Sequence, residues 1–267
     1  CPWSDHCDSD RKDQKLVTVL SGMNSRLMRK LIDGGVATYD RLAKLTPNQV
    51  TKRFDLGQDR ANKIHLNAQA WHTNKPLLKA KVKLPPVRQT IIYYDIETYG
   101  ETLYLHGLFI DNGKKTEVRQ FAAQAIEDEE KILIELLSFL SLHPDAVIYT
   151  WTTFEDGWMS SMAERYPKHE KVISRMLKQF VDLKEVVKEA LVLPVTTFSI
   201  KEVAPVFGFK WRAEDAGGSN SEAWYDEWLN TKDKDFFTKI LHYNEDDVIA
   251  MHVIMTELRE MLRRKST

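Results

Sequence analysis

Two hydrophobic textures divide the chain. From residue 11 to about residue 73 the apolar positions fall in short bursts at helical spacing. Leu16, Val17, Val19 and Leu20 open one apolar face, and Leu27, Met28, Leu31 and Ile32 recur at the spacing of an amphipathic helix. Asp33-Gly34-Gly35-Val36 predicts a break, because glycine accepts the positive φ on which helices end. Thr38 is placed to cap a helix carrying Tyr39, Leu42 and Leu45, and Thr46-Pro47 predicts another start with proline at the first helical position. A second break falls at Leu56-Gly57, before a helix over about 59–71. Residues 74–90, with Lys75-Pro76, Lys79, Lys81, Lys83 and Pro85-Pro86, carry no clear period and read as a basic linker.

From Ile91 the period changes. Residues 91–96 and 103–110 read as strands, Asp111-Asn112-Gly113 as a hairpin turn, and residues 116–121 as a third strand. An amphipathic helix follows over 125–142, with Ile132, Leu133, Leu136, Leu137 and Leu140 on its apolar side. Residues 146–150 predict another buried strand. Further helices are expected over 155–165, 183–191 and 221–229, the last after a Gly/Ser-rich loop beginning at Trp211, and over roughly 233–264. Three antiparallel-capable strands, a helix and a further strand make an α/β class: a mixed sheet flanked by helices, preceded by a small all-α module. No apolar run approaches the length of a membrane span.

A net charge of −1 conceals an asymmetry. Residues 11–90 carry 17 Lys and Arg against five Asp and no Glu, for +12, whereas residues 91–267 carry 21 basic and 31 acidic residues, for −10. A basic module joined to an acidic one points to a polyanion on the first and metal-binding acids in the second; docking of two oppositely charged halves is the other reading. Arg26, Arg29, Lys30, Lys52, Arg53, Arg60 and Lys63 are the candidate phosphate contacts. The two cysteines stand in Cys1-Pro2-Trp3-Ser4-Asp5-His6-Cys7. With no signal peptide and no membrane span, a cytoplasmic protein is the default, and a structural disulfide is not expected there. Two cysteines do not complete a zinc or iron–sulfur site. The start without Met is therefore read as that of a fragment whose upstream part carries the other ligands.

The chemistry is concentrated in the acids. Side chains alternate along a strand, so Asp95 and Glu97, at the end of Ile91-Ile92-Tyr93-Tyr94, share one face. Two carboxylates so placed repel each other, and a hard divalent cation such as magnesium or manganese offsets the repulsion. A strand end with two solvated acids is the plain alternative. Glu155-Asp156 opens a helix after the strand at 146–150, where acids also favour the helix dipole. Asp182 follows a short apolar pair, and also reads as an N-cap. Tyr243 and Asp247 are four residues apart on one face of the long helix, within a run of three acids, Glu245-Asp246-Asp247, that otherwise reads as a solvated face.

Taken together, Asp95-x-Glu97, Phe154-Glu155-Asp156 and Tyr243-x-x-x-Asp247 resemble the three exonuclease motifs of the DEDD superfamily, in its tyrosine (DEDDy) branch, over about residues 91–262. More closely, the chain resembles the RecB-like nucleases that fuse an iron–sulfur RecB-type domain to an RNase H-like domain. Tyr93-Tyr94-Asp95-Ile96-Glu97-Thr98, residues 197–204, Phe207-Gly208-Phe209 and Tyr243-Asn244-Glu245-Asp246-Asp247-Val248 carry that likeness. The N-terminal helices resemble tandem helix-hairpin-helix modules, although neither Gly34-Gly35 nor Leu56-Gly57 has the Gly-apolar-Gly turn of that family.

The resemblance implies four segments: 1–10 as the tail of a cysteine-cluster domain, 11–73 as the helix-hairpin-helix-like module, 74–90 as the linker and 91–267 as an RNase H-like exonuclease domain. It implies 3′–5′ exonuclease action on single-stranded DNA or RNA, with two magnesium or manganese ions held by Asp95, Glu97, Glu155 or Asp156, and Asp247. Asp182 is a further contributor to the metal site, and Tyr243 orients the attacking water or accepts its proton. Thr98 and Tyr99 position the terminal nucleotide, and Trp151, Phe154 and Trp158 stack on an unpaired base. The implied partner is an upstream RecB-like domain, with an iron–sulfur cluster ligated in part by Cys1 and Cys7. The second motif normally carries Asp where this chain has Glu155. That departure leaves a catalytically weak or inactive nucleic-acid-binding module as the alternative.

Overall fold

The computed structural model describes residues 4–86, 90–213 and 218–264. The chain divides into two compact units, one of Cys1–Lys81 with Lys188–Gly208 and one of Val82–Val187 with Phe209–Thr267. Among the described residues no helix is long and apolar enough to cross a membrane.

The first unit is built on short helices. Ser25–Asp33 is capped by the Asn24 side chain, which accepts from Leu27 N. Thr46 and Gln49 form a reciprocal capping box on Pro47–Phe54, an arrangement that satisfies two of the helix's orphan N–H groups. Both expected breaks are present, for different reasons. A Cβ on Gly34 would lie 2.5 Å from the ring of Phe54, so close packing demands glycine there, while Gly35 takes the positive φ of +78°. In the second break the left-handed residue is Asp55, at φ 43°, ahead of Leu56-Gly57 and the helix Gln58–Thr73. Val17, Leu27, Leu31, Leu42, Val50, Phe54 and Ile64 meet in one apolar core. Leu77–Leu78, in the segment expected to be a bare linker, pairs antiparallel with Leu191–Val192. A two-residue strand is too short to leave an alternation in the sequence.

The second unit is a five-stranded sheet: β1 Ile91–Tyr99, β2 Thr102–Asp111, β3 Thr116–Ala122, β4 Val147–Thr150 and β5 Phe180–Asp182. The spatial order is β3-β2-β1-β4-β5. The first three strands run antiparallel, and β4 and β5 join β1 in parallel. Ile91, Ile92, Tyr93 and Tyr94 are all buried, the continuous apolar signature of a strand covered on both faces. The β2–β3 turn is made as expected: Gly113 takes positive φ, and the Asn112 side chain accepts from Lys114 N and Lys115 N. Four helices bear on the site: α1 Glu129–Leu140, α2 Phe154–Arg165, α3 Gly218–Thr231 and α4 Lys234–Arg264. The apolar side of α1 packs with Ile92, Tyr94 and Ile148 in one core. Trp224, Tyr225, Trp228 and Tyr243 pack with Tyr104 and Leu105 in another.

Beneath β1 lies a polar pair inside the core. His106 Nδ1 bonds the Tyr94 hydroxyl at 2.7 Å, and neither side chain is exposed. Burial pushes the imidazole down to about 3. The folded protein therefore binds this proton less readily than the unfolded chain, whose histidine titrates near ~6.5. The contribution to stability is fully present above pH ~6.5 and drains away as pH falls from there towards 3. In that window His106 alone accounts for about 1.4 kcal/mol per pH unit. Urea unfolding at a series of pH values is expected to show His106→Asn losing stability less steeply with acid than the unaltered chain. His65 and His252, also shifted down chiefly by burial, keep their share of the slope in both proteins.

Candidate metal centre

The register of β1 sets the site. Asp95 pairs with Gly107 and Glu97 with Leu105, so both acids lie on the same face of the sheet. Immediately after Glu97 the register slips, Thr98 pairing with Leu103. Such a bulge bends the strand and re-aims the side chains beside it. Opposite them stands α4, which carries Tyr243 and Asp247 one turn apart. Among the described residues, Asp95, Glu97 and Asp247 each offer a carboxylate oxygen within 4.8 Å of the other two. Together with Thr98, Phe154, Glu222 and Tyr243 they line a cavity of about 380 Å³.

Each of the three acids is held by a neutral donor. Asn244 Nδ2 bonds Asp95 Oδ2 at 2.9 Å, Ser221 Oγ bonds Glu97 Oε2 at 2.6 Å, and Trp211 Nε1 bonds Asp247 Oδ1 at 2.7 Å. Tyr104 supports Ser221 through a short hydroxyl–hydroxyl hydrogen bond, and its ring stacks on Tyr225. The other two acids of the Glu245-Asp246-Asp247 run are taken by Arg212. Its Nε and backbone N–H both reach Asp246 at 2.8 Å, and its Nη2 reaches Glu245 at 2.7 Å. The segment that begins at Trp211 is thus tied to α4 through its first two residues. Three carboxylates converging on one cleft, oriented by neutral groups, match what a hard divalent cation requires: oxygen ligands and locally concentrated negative charge.

The remaining expected site residues fall elsewhere. Glu155 and Asp156 lie in the first turn of α2 and Asp182 ends β5, all outside the group of three. Glu155 is buried, and burial, with Asp156 and Asp182 nearby, raises its carboxyl well above the ordinary range. Asp156 is raised by burial and by Asp182. Glu155 Oε2 and Asp156 Oδ1 are buried without a hydrogen-bond partner among the described residues. Asp182 does cap a helix, accepting from Glu185 N at 2.9 Å. The Tyr243 phenol is pushed far above its usual value by burial and by Asp247, Glu97 and Asp95. Tyr99 donates to Asp226 at 2.5 Å. Trp151 is 6% exposed, whereas Phe154 is 52% exposed and also walls a neighbouring cavity of about 630 Å³ with Gly100, Trp158 and Arg165.

In the helical unit, Arg26, Lys30 and Arg60 line one cavity with Asn24 and Leu56, and Arg29 joins Arg26 and Lys30 in a second. Arg53 stays exposed but is tied to the first break, donating to Gly34 O at 2.6 Å and lying over the Phe54 ring. Lys52 and Lys63 line neither cavity. Cys1 and the Cys7 side chain lie outside the described residues. Asn244, Ser221 and Trp211 are not among the site residues expected from the sequence. One signal for Asn244 was available: Gly107 stands in the middle of a strand, where glycine marks a close approach.

A mixed sheet in the order 3-2-1-4-5, with two acids on its first strand facing a third on α4, is the arrangement of an RNase H-like fold. A family profile of the RNase H superfamily matches residues 92–259, more than half of the chain, and the chain belongs to that superfamily. No curated protein and no solved structure matches the chain.

Proposed function

We propose that the chain is a metal-dependent 3′–5′ exonuclease of the DEDDy type, acting on single-stranded DNA or RNA as part of a longer, cytoplasmic RecB-like nuclease. In that longer protein Cys1 and Cys7 contribute to an iron–sulfur site. The observation that carries the nuclease reading is the convergence of Asp95, Glu97 and Asp247 within 4.8 Å, beside Tyr243. These three acids would hold magnesium or manganese. Glu155 and Asp156, with their unpartnered buried oxygens, are the acids assigned to complete the site. Asp182 stays a helix cap.

When bound, two such ions supply an activated water and stabilise the departing oxygen of an in-line phosphoryl displacement. The protein's part is placement. Asn244, Ser221 and Trp211 fix the three carboxylates, and the Tyr243 hydroxyl orients the attacking water. Thr98, on the wall of the cleft, positions the end of the strand beside Tyr99. The exposed Phe154 ring, with Trp158, offers the stacking face for an unpaired base. The buried Trp151 takes no part in stacking. Arg26, Arg29, Lys30 and Arg60 of the helix-hairpin-helix-like module contact phosphates, with Lys52 and Lys63 as outlying charges and Arg53 held back by Gly34.

A second reading is favoured by one observation, the position of Glu155 outside the group of three. In it the domain binds nucleic acid and cleaves weakly or not at all, serving the upstream nuclease. The two readings part in one assay. With 5′-labelled single-stranded DNA and RNA and either metal, a 3′–5′ exonuclease leaves a ladder of progressively shortened labelled products. No cleavage, with salt-sensitive binding retained, selects the second reading.

A further inference from the structure

One relay behind the carboxylates has its polarity fixed from end to end. The backbone carbonyl of Leu241 only accepts, and Gln120 Nε2 lies 2.8 Å from it, so this end of the Gln120 amide is the NH₂ group. The same nitrogen lies 3.1 Å from the Asn244 side chain, which therefore presents its oxygen there. That leaves Asn244 Nδ2 to donate to Asp95 Oδ2 at 2.9 Å. The Asn244 amide is also confined sterically. It is fully buried, and a Cβ on Gly107 would lie 1.7 Å from Asn244 Oδ1, so the missing side chain of the residue paired with Asp95 is the seat of the amide.

We propose that Asn244 is the positioning residue for Asp95, and that Gln120, which reaches Asp95 only through Asn244, sets which face of the Asn244 amide the carboxylate meets. This rests on the reading of Asp95, Glu97 and Asp247 as a cation site. The relay delivers a donor to one Asp95 oxygen and thereby fixes the plane of the carboxylate beside its two neighbours. Groups that orient ligands in this way typically change metal affinity by about 10–100-fold when altered.

The informative variant is Gln120→Glu. It keeps the size of the side chain but replaces the donor with an acceptor, facing two acceptors. The Asn244 amide is then drawn round, turning its oxygen towards Asp95. Manganese binding to the full chain, read by the loss of the free-ion electron paramagnetic resonance signal, is expected to weaken by about 10–100-fold in Gln120→Glu and in Asn244→Ala. The neutral isostere Gln120→Met, which leaves the Asn244 amide unforced, is expected to weaken it less. Without metal, Gln120→Glu is expected to lower the melting temperature of the unaltered chain and to lower it by less in an Asn244→Ala background, where only the Leu241 carbonyl still faces the new carboxylate.

Wild-type affinity in a folded Gln120→Glu protein overturns the relay, as does an additive metal-free cycle. An unaltered chain that binds no manganese overturns the proposed function instead, and the metal-free cycle still decides the relay.

Discussion

Alanine at Asp95 is expected to reduce metal-dependent cleavage of a single-stranded oligonucleotide by roughly a thousandfold or more. A metal-held phosphoryl centre supplies several kcal/mol of transition-state stabilisation, and each ~1.4 kcal/mol is a factor of ten. Asp95 is one of three acids in the group, so its removal leaves two, beside an Asn244 amide with no acceptor. The fold is expected to survive, because Asp95 is partly exposed and removing it relieves repulsion among the carboxylates. Initial rates under saturating manganese, with a melting curve on the same samples, check both halves. A variant that melts like the unaltered chain and still cleaves at a comparable rate would place the chemistry elsewhere.

The largest expected loss of stability comes from an acid outside the cleft. Glu129, 5% exposed, accepts from Leu103 N at 2.7 Å, Arg165 Nη1 at 2.8 Å and the Tyr166 hydroxyl at 2.8 Å. One carboxylate thus joins the start of α1, the start of β2 and the end of α2. Glu129→Ala leaves the Leu103 N–H and the Tyr166 O–H without their acceptor and takes the counter-charge from Arg165. Arg165 is more than a third exposed and regains water, so the cost comes from the stranded donors, about 1–3 kcal/mol for each one left unsatisfied. Glu129→Gln keeps an acceptor and is expected to cost less. Urea unfolding, followed by the tryptophans of the sheet-containing unit, reads both. A Glu129→Ala midpoint equal to the unaltered one would mean that α2 is held by its apolar face alone.

The sequence disclosed much of the scaffold and part of the site, for identifiable reasons. Asp95 and Glu97 were placed on one face by strand alternation, and Tyr243 and Asp247 by helical spacing; both are local periodicities. The meeting of those two pairs depends on α4 crossing β1, which no local period encodes. The resemblance across the whole span, rather than the spacing, suggested it. Ser221 and Trp211 lay hidden because a serine or a tryptophan in a Gly/Ser-rich stretch looks the same whether or not it reaches a carboxylate across the fold. The Glu245-Asp246-Asp247 run shows the same limit. It reads as a solvated face, yet Arg212 takes two of its acids and leaves Asp247 to the cleft. Leu77–Leu78 escaped notice because its partner is more than a hundred residues away.

The proposed function requires that Asp95, Glu97 and Asp247 form a cation site on which nucleic-acid cleavage depends. It is tested most directly by calorimetric titration of manganese into the full chain and into the Asp95→Asn/Asp247→Asn double variant, which preserves shape while removing two charges. The account predicts saturable binding in the first and its loss in the second, with both proteins folded. Equal binding in the two would contradict it.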